Sequence, residues 1–313
     1  MTGVSTAGLR TGGRSTTTPF TAKLLMYVLP VVAWIFLFPS LAHAQNAPTL
    51  ETEDSTIGSA SVGDGRFHPI VTLDVRNGDF SRGEYDDDAA DLGRVPVHIE
   101  LGFAHELHRD AQGEPDLFLV AASSNGFHAP RADEQVSPRA WYESNNIVGL
   151  IAAPVRGVRA GLAYTIKTSP NGVSSTTHEL SATAAYEDER GVGALRPSVV
   201  ATVRPKGGGG LFTGIGIEPE FATTAREDGP TLSVPAKFGV GWDDFYEPGS
   251  GTVVFGSAGL AYTHPFEMGA TKWRWRAELL AVVRDDRLRR LGDGDAERST
   301  VVPLATVSLT VAY

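Results

Sequence analysis

Ser124 is the side chain in this sequence that comes nearest to a catalytic nucleophile, and it lies in the stretch Ala-Ser-Ser-Asn-Gly at residues 122–126. A serine hydroxyl attacks an ester only when a neighbouring base takes its proton. Ala122 cannot act as that base, and His128 could reach the hydroxyl only through folding of the intervening loop. The sequence offers a nucleophile without its base, so we do not expect an enzyme, and hydrolysis at Ser124 stays a minor alternative.

The histidines do not form a metal-binding motif. In His-Glu-Leu-His at residues 105–108, Arg109 occupies the place where the metalloprotease pattern H-E-x-x-H has its second histidine. The acidic run at residues 86–88 is typical of a solvated loop rather than of a cation site. We therefore expect no metal and no other cofactor.

Regular alternation of apolar and polar residues is the strongest pattern in the chain. In residues 95–107, for example, Val97, Ile99 and Leu101 alternate with His98 and Glu100, which is the two-residue period of a β-strand. Helical periodicity is absent from windows of comparable length. Twelve such segments occur, near residues 67–76, 95–107, 116–125, 140–153, 158–168, 176–187, 195–205, 211–219, 231–242, 252–264, 272–284 and 302–313.

The length of these strands separates two all-β architectures. A soluble β-sandwich also alternates, but ordinary strands average about five or six residues, whereas a strand that crosses a bilayer at a tilt needs about 9–11. The connections also alternate between long and short, as in an up-and-down barrel with both termini on one side. The sequence therefore predicts an all-β, transmembrane, antiparallel up-and-down β-barrel of about twelve strands.

The N-terminus has the composition of an export signal. Three basic residues precede an apolar run at residues 24–41, and an Ala-His-Ala pattern follows at residues 42–44. This order is typical of a cleaved secretory signal, although an uncleaved membrane anchor has a similar apolar length. We assign residues 1–44 to a signal peptide, residues 45–65 to a flexible segment without periodicity, and residues 66–313 to the barrel.

Charge and cysteine content exclude other classes of protein. The chain has 27 Lys and Arg residues against 37 Asp and Glu, a formal net charge of −10. A nucleic-acid-binding protein needs a basic face, so we expect no nucleic-acid partner. The chain has no cysteine, so disulfide bonds do not hold it together.

The polar positions that alternate along the predicted strands include many charged side chains, which would face the lumen of the barrel. The opposed charges could either pair across the barrel and fill it or line a water-filled constriction. The candidate lumen residues are Arg76, Glu100, Arg159, Lys167, Glu179, Arg196, Arg204, Lys237, Arg274, Arg276, Glu278 and Arg284. The balance of the inward positions is mixed and slightly basic.

Aromatic residues on the apolar parity are expected to form a belt where the barrel meets the membrane surface, because rings prefer an interface between apolar and wet surroundings. Given an up-and-down strand order, six of them should lie toward the periplasmic end. These are Phe103, Tyr186, Tyr262, Trp273, Trp275 and Tyr313.

The last predicted strand carries Val307, Leu309, Val311 and Tyr313 on one parity. This pattern resembles the C-terminal signal of Gram-negative outer-membrane barrel proteins, which the barrel-insertion machinery recognises. The motifs Ser-Arg-Gly at 81–83, Ser-Ser-Asn at 123–125 and Tyr-Thr-Ile-Lys-Thr-Ser-Pro-Asn-Gly at 164–172 resemble the TorF family of porins. These resemblances imply insertion into the outer membrane after export through the periplasm.

The stretch around Ser124 also resembles the H-x-S-N-G motif of outer-membrane phospholipase A, a twelve-stranded barrel. The resemblance would make Ser124 the nucleophile, but Ala122 stands in place of the histidine and Tyr142 in place of a polar amide partner. The main expectation is therefore a passive channel for small hydrophilic solutes surrounded by outer-membrane lipids. A closed barrel with a structural or adhesive role is the alternative, and a phospholipase-like lipid hydrolase is the least favoured.

Overall fold

The alternating segments form twelve long antiparallel strands in the computed structural model, which describes residues 46–63, 65–78, 80–85, 95–130, 136–172, 174–188, 190–226, 229–269, 271–291 and 299–313. The predicted signal peptide and the acidic run at 86–88 lie outside the described residues. The described part of the chain contains only two short 3-10 turns, Gly191–Leu195 and Leu288–Arg290, besides its strands. It contains no helix long and apolar enough to cross a membrane.

The barrel strands have lengths close to those the sequence predicts. They are β1 Phe67–Arg76, β2 Val97–Arg109, β3 Pro115–Phe127, β4 Trp141–Val155, β5 Val158–Thr168, β6 Thr177–Tyr186, β7 Ser198–Lys206, β8 Leu211–Ile217, β9 Ala236–Trp242, β10 Val253–Met268, β11 Thr271–Arg284 and β12 Val301–Ala312.

Strands β8 and β9 continue beyond a break as Glu220–Ala222 and Thr231–Ser233, which pair with each other. Pro219 and Pro235 lie at the two breaks, where a residue without a backbone N–H cannot continue the ladder. This extension explains why the connection between the two strands is long in the sequence.

Pairing of the last strand with the first closes the sheet. Strand β12 pairs with β1 from Thr306 opposite Arg76 to Ala312 opposite Ile70, and its other edge pairs with β11. Each of the other strands pairs with its sequence neighbours. The predicted fold class is therefore confirmed: the chain forms a closed antiparallel twelve-stranded β-barrel.

The two ends of the barrel differ in their connections. We call the end where β1 begins and β12 finishes the turn end, and the opposite end the loop end. At the turn end β4 joins β5 through residues 156–157 and β10 joins β11 through 269–270, whereas residues 77–96 and 285–300 connect strands at the loop end.

The outer surface of the barrel is apolar. Leu101, Leu162 and Leu279 have exposed fractions of 56%, 64% and 66%, which suits hydrocarbon rather than water. Near the turn end, ring pairs lie on this surface, with centroids 5.2 Å apart for Tyr262 and Trp275 and 6.0 Å apart for Phe266 and Trp273.

The remaining outward-facing rings lie near the two ends of the barrel. Phe103 packs on Phe67 at 5.2 Å, Tyr186 pairs with Val158 beside the turn at 156–157, and the Tyr313 N–H bonds Pro69 O. All six residues predicted for one belt therefore lie toward the turn end. Near the loop end Phe127 stacks on Trp141 at 6.2 Å.

The prediction of a flexible segment at residues 45–65 is wrong for most of its length. Asn46–Leu50 and Ile57–Ser61 pair as an antiparallel hairpin inside the barrel, which we call the inner hairpin. Ala47 and Leu50 are buried in an apolar cluster with wall residues of β2–β5, including Phe118, Ile147 and Ile151. The hairpin is buried by contacts with the barrel wall. Its two strands have only five residues each, which is too short for a clear alternation of apolar and polar residues in the sequence.

We predict that Val307→Arg lowers the free energy of unfolding by about 2–4 kcal/mol, because it places a charge in the lipid-facing middle of β12. Thr306→Arg is the matched control: residue 306 lines the hydrated lumen cavity between Glu278 and Arg76, so the new charge stays in contact with water and this variant should lose much less. Guanidinium unfolding in lipid vesicles measures both. Equal losses would contradict the assignment of the two faces.

Candidate functional site

The inward face of the barrel surrounds a cavity of about 480 Å³ between the inner hairpin and the wall. Strand alternation sends every second side chain into this space. Eight predicted lumen residues line it: Arg76, Glu100, Arg159, Arg196, Lys237, Arg274, Arg276 and Glu278. The other four, Lys167, Glu179, Arg204 and Arg284, are on the same side but contact the hairpin or the inward-folded loops.

A buried ion pair fixes the loop that follows β1. Arg82 extends from this loop and donates two hydrogen bonds to Glu179 on β6, at 2.7 and 2.8 Å, and Arg204 on β7 donates a third at 2.9 Å. The Arg82 and Glu179 side chains are only 2% and 0% exposed. Two parallel N–H···O bonds specify one orientation, and two cations balance the buried carboxylate.

The backbone around Arg82 is shaped for this inward turn. Arg82 and Gly83 have positive φ values of 48° and 89°, and the flanking residues Phe80–Ser81 pair with Glu84–Tyr85. A Cβ on Gly83 would come within 2.6 Å of Leu288 and Phe255, so glycine is needed there.

Apolar side chains from several loops cover the cavity at the loop end. Phe245 and Tyr246, after β9, and Leu288 and Leu291, after β11, form one buried cluster with Phe255 of the wall. The guanidinium of Arg204 lies 4.2 Å from the centroid of the Phe245 ring, and the Tyr246 hydroxyl donates to Arg82 O at 2.5 Å. We call this cluster the cap. Arg284, buried beneath it, lies over Phe80 and donates to Ser299 O at 3.3 Å.

The tip of the inner hairpin carries carboxylates that pair with wall cations. Asp54 accepts from Lys237 on β9 at 2.8 Å, and Glu53 pairs with Arg76 on β1. Lys167 on β5 donates to Glu53 O at 2.7 Å. Burial alone would raise the pKa of Asp54, but the charge of Lys237 and hydrogen bonds from Lys237 and Thr56 outweigh it and lower that pKa. The tip is thus held from three sides of the lumen.

Near the turn end, arginines hold further carboxylates and the base of the hairpin. Arg276 pairs with Glu218 at 2.6 Å and also with Glu278, while Arg196 lies 2.8 Å from Glu187. On opposite walls, two other arginines donate to hairpin carbonyls. They are Arg159, to Asn46 O at 3.3 Å, and Arg274, to Ser59 O at 3.1 Å.

The charge of the cavity differs from the expectation of a slightly basic lumen. Its lining has nine acidic side chains against seven basic ones, because the hairpin adds Glu51, Glu53 and Asp54. Among the described residues, Glu51 and Glu100 face this cavity without an ion-pair partner. The acidic side chains of the hairpin therefore remove the basic excess that the strands alone suggest.

Ser124 lies on the lumen side of β3 and is 3% exposed, opposite Glu100 and Asn145. His128 stacks on Tyr142 with centroids 4.5 Å apart. A membrane lipid outside the barrel cannot reach a hydroxyl on this side, so the placement does not support lipid hydrolysis at Ser124.

A second buried polar network joins strands β1, β2 and β4. His98 Nε2 lies 2.7 Å from the Tyr142 hydroxyl and 3.3 Å from Glu143, and its Nδ1 lies 3.3 Å from Asp74. Across the described residues, no group of three His, Asp or Glu side chains is arranged to hold a metal ion. The network instead joins the first residues of β4 to His98 of β2, and through His98 to Asp74 of β1.

The residues predicted as an insertion signal lie on the outer surface. Val307, Leu309 and Val311 are opposite Ala277, Trp275 and Trp273 of β11.

Sequence reasoning missed the hairpin acids and Arg82. The available signals were local: Asp54 accepts from the Thr56 N–H in a tight turn, and Arg82 precedes a glycine.

No family model and no curated protein sequence matches the chain. Solved structures that it is similar to include the translocator domain of the autotransporter NalP from Neisseria meningitidis, with 10% identity, coverage of 94% of this chain and 96% of that chain, and a TM-score of 0.42. An outer-membrane channel from Pseudomonas putida F1 has 9% identity, coverage of 81% and 97%, and a TM-score of 0.47. LpxR from Salmonella typhimurium has 11% identity, coverage of 78% and 99%, and a TM-score of 0.39.

We predict that Glu179→Ala destabilises the barrel by about 3–5 kcal/mol, because it leaves Arg82 and Arg204 as buried charges without their shared carboxylate. The loop at residues 80–85 should then be cut faster by protease. Glu278→Ala is the control, since Arg276 keeps Glu218. Guanidinium unfolding and limited proteolysis report the two effects, and a stability loss no larger than that of the control would contradict the role of the ion pair.

Proposed function

We propose that this protein is an outer-membrane channel for small hydrophilic solutes, narrowed by its own N-terminal hairpin. The observation that supports this most directly is the charge-lined cavity of about 480 Å³ beside the inner hairpin. Charged side chains around a lumen keep it hydrated and discriminate among solutes by charge. A barrel that served only as a scaffold could fill this space with apolar side chains.

The proposal includes an orientation in the membrane. The loop end faces the cell exterior and the turn end faces the periplasm, which follows the arrangement of outer-membrane barrels with short periplasmic turns. The chain would reach the membrane by export through the periplasm, and Val307, Leu309, Val311 and Tyr313 would be read by the barrel-insertion machinery. A relationship to the TorF family, suggested by short motifs, belongs to the same proposal.

The solute class follows from the lining. The lining holds nine acidic side chains against seven basic ones, and burial favours the neutral form of an unpaired carboxyl such as Glu51, so the charges nearly balance and small neutral polar solutes are favoured. The volume beside the hairpin limits the solute to a small polar molecule. No chemistry and no cofactor is involved in passage.

We predict measurable conductance in planar bilayers, with little charge preference at neutral pH and a cation preference that grows at alkaline pH, as the carboxyls that lack an ion pair lose their protons. Glu51→Gln combined with Glu100→Gln should remove that alkaline increase in the reversal potential, because these two carboxyls face the cavity without ion pairs among the described residues. Glu247→Gln, on an exposed loop, is the control. A folded, pure preparation that never conducts would remove the channel proposal.

We predict that Glu53→Gln combined with Asp54→Asn raises the conductance severalfold or makes it fluctuate, since both ion pairs that hold the hairpin tip are lost. Ser59→Ala is the control, because its side chain lies in the same cavity while its backbone carbonyl still accepts from Arg274. Single-channel recordings compare the three proteins. Unchanged conductance in the double variant would show that the hairpin does not restrict the path.

A closed structural barrel is the second candidate, and the apolar cap at the loop end favours it. In that case the cavity would open only to the periplasm. Removing the Arg82 contacts with Arg82→Ala separates the two candidates: a channel that the cap obstructs should gain conductance, whereas a barrel closed along its length should stay silent.

A further inference from the structure

A group of polar side chains faces outward from β3 and β4, on the lipid side of the wall. Ser123 lies opposite Asn146, and Asn125 lies opposite Ser144. Their neighbours in sequence, Ser124 and Asn145, are buried on the lumen side, as alternation requires. Ser144 is on the outward side of β4 but only 8% exposed, so Ser123, Asn125 and Asn146 form the accessible part. We call these four residues the lipid-facing polar patch.

The patch lies below the membrane surface at the loop end. The stacked rings of Phe127 and Trp141 mark that surface, and Asn125 is two residues further into the wall on the same strand. Ile99 and Leu101 of β2 flank it on one side, and Ile166 and Thr168 of β5 on the other. Three of these four neighbours are apolar, and in such surroundings an amide without partners is costly.

The hydrogen bonds within the patch satisfy only part of its capacity. Asn125 Nδ2 donates to Ser123 Oγ at 3.1 Å, and Asn146 Nδ2 donates to Ser144 Oγ at 3.2 Å. Each carboxamide has a second N–H and an oxygen with two lone pairs. Among the described residues, no donor is found for either carboxamide oxygen.

From these contacts we infer that the patch is the interface between two copies of this barrel in the membrane. A twofold axis along the membrane normal keeps each residue at its own depth, so the patch of one copy meets the same polar groups of the other. Carboxamides and hydroxyls both donate and accept, so such a patch is complementary to itself. Hydrogen bonds between polar side chains contribute modestly, but measurably, to association between membrane proteins.

A second copy fits this position better than a lipid headgroup does. The polar parts of lipids lie at or above the level of the Phe127–Trp141 pair, whereas Asn146 and Ser123 lie four residues below Phe127 along β3. The acyl chains at that depth carry neither donors nor charges. The inference does not depend on the barrel acting as a channel.

The absence of cysteine from the chain permits a direct test. Val148→Cys places a thiol on the outer surface beside the patch, and Leu279→Cys places one on β11, away from it. In lipid vesicles, a short bis-maleimide should join two copies of the Val148→Cys protein and leave the Leu279→Cys protein monomeric. Adding Asn125→Leu and Asn146→Leu to Val148→Cys should weaken association roughly five- to tenfold, the loss expected for about two such hydrogen bonds.

Electrophoretic migration of the unheated protein, which separates folded from unfolded barrels, shows whether each variant is folded. The inference is overturned if the folded Asn-to-Leu variant crosslinks as well as its parent, or if the two cysteine positions crosslink equally. It is also overturned if the parent is monomeric and the Asn-to-Leu changes reduce only co-purified lipid, which would assign the patch to a lipid.

Discussion

The need to pair every backbone N–H and C=O inside hydrocarbon determines this structure. An open sheet would leave one edge of β12 and one edge of β1 without partners, and each unpaired group in lipid costs several kcal/mol. Pairing of Thr306–Ala312 with residues 70–76 removes both edges at once. Once the sheet is closed, alternation divides the strand side chains between lipid and lumen, and charged residues within the membrane-spanning part of a strand are accommodated on the lumen side.

Charges in so narrow a lumen need partners, and the strands do not supply enough of them. Arg76 on β1 and Lys237 on β9 face the lumen from different parts of the barrel wall. Each pairs with a carboxylate at the tip of the inner hairpin. The hairpin therefore neutralises cations of the wall while occupying part of the lumen. Its apolar side, with Ala47 and Leu50, covers the apolar part of the inner wall at β2–β5. The hairpin thus supplies ion-pair partners to the charged part of the inner wall and apolar contacts to the rest.

The fold could be predicted because the solvent imposes a simple rule on each strand. Leu101, Leu162 and Leu279 must face lipid, so their parity, and with it the lumen position of Glu100 or Glu278, follows from sequence alone. The inner hairpin is different, because it meets no lipid and its five-residue strands need not span a bilayer. Its position depends on contacts between residues far apart in sequence, such as Asp54 with Lys237 and Glu53 with Arg76. No local pattern encodes these pairs, so the acidic side chains that the hairpin adds to the lumen are missed.

The two contacts that restrict the lumen differ in strength. At the loop end, Arg82 and Glu179 form a fully buried bidentate pair packed against Phe212 and Phe245, and breaking such a pair leaves a buried charge. At the hairpin tip, the Lys237 side chain is 48% exposed to the lumen, so water screens this pair and it contributes less than the buried pair. Of the two pairs, the one at the hairpin tip is therefore the easier to open. Opening it does not free the hairpin, because Leu50 stays packed on the wall and Lys167 still donates to Glu53 O.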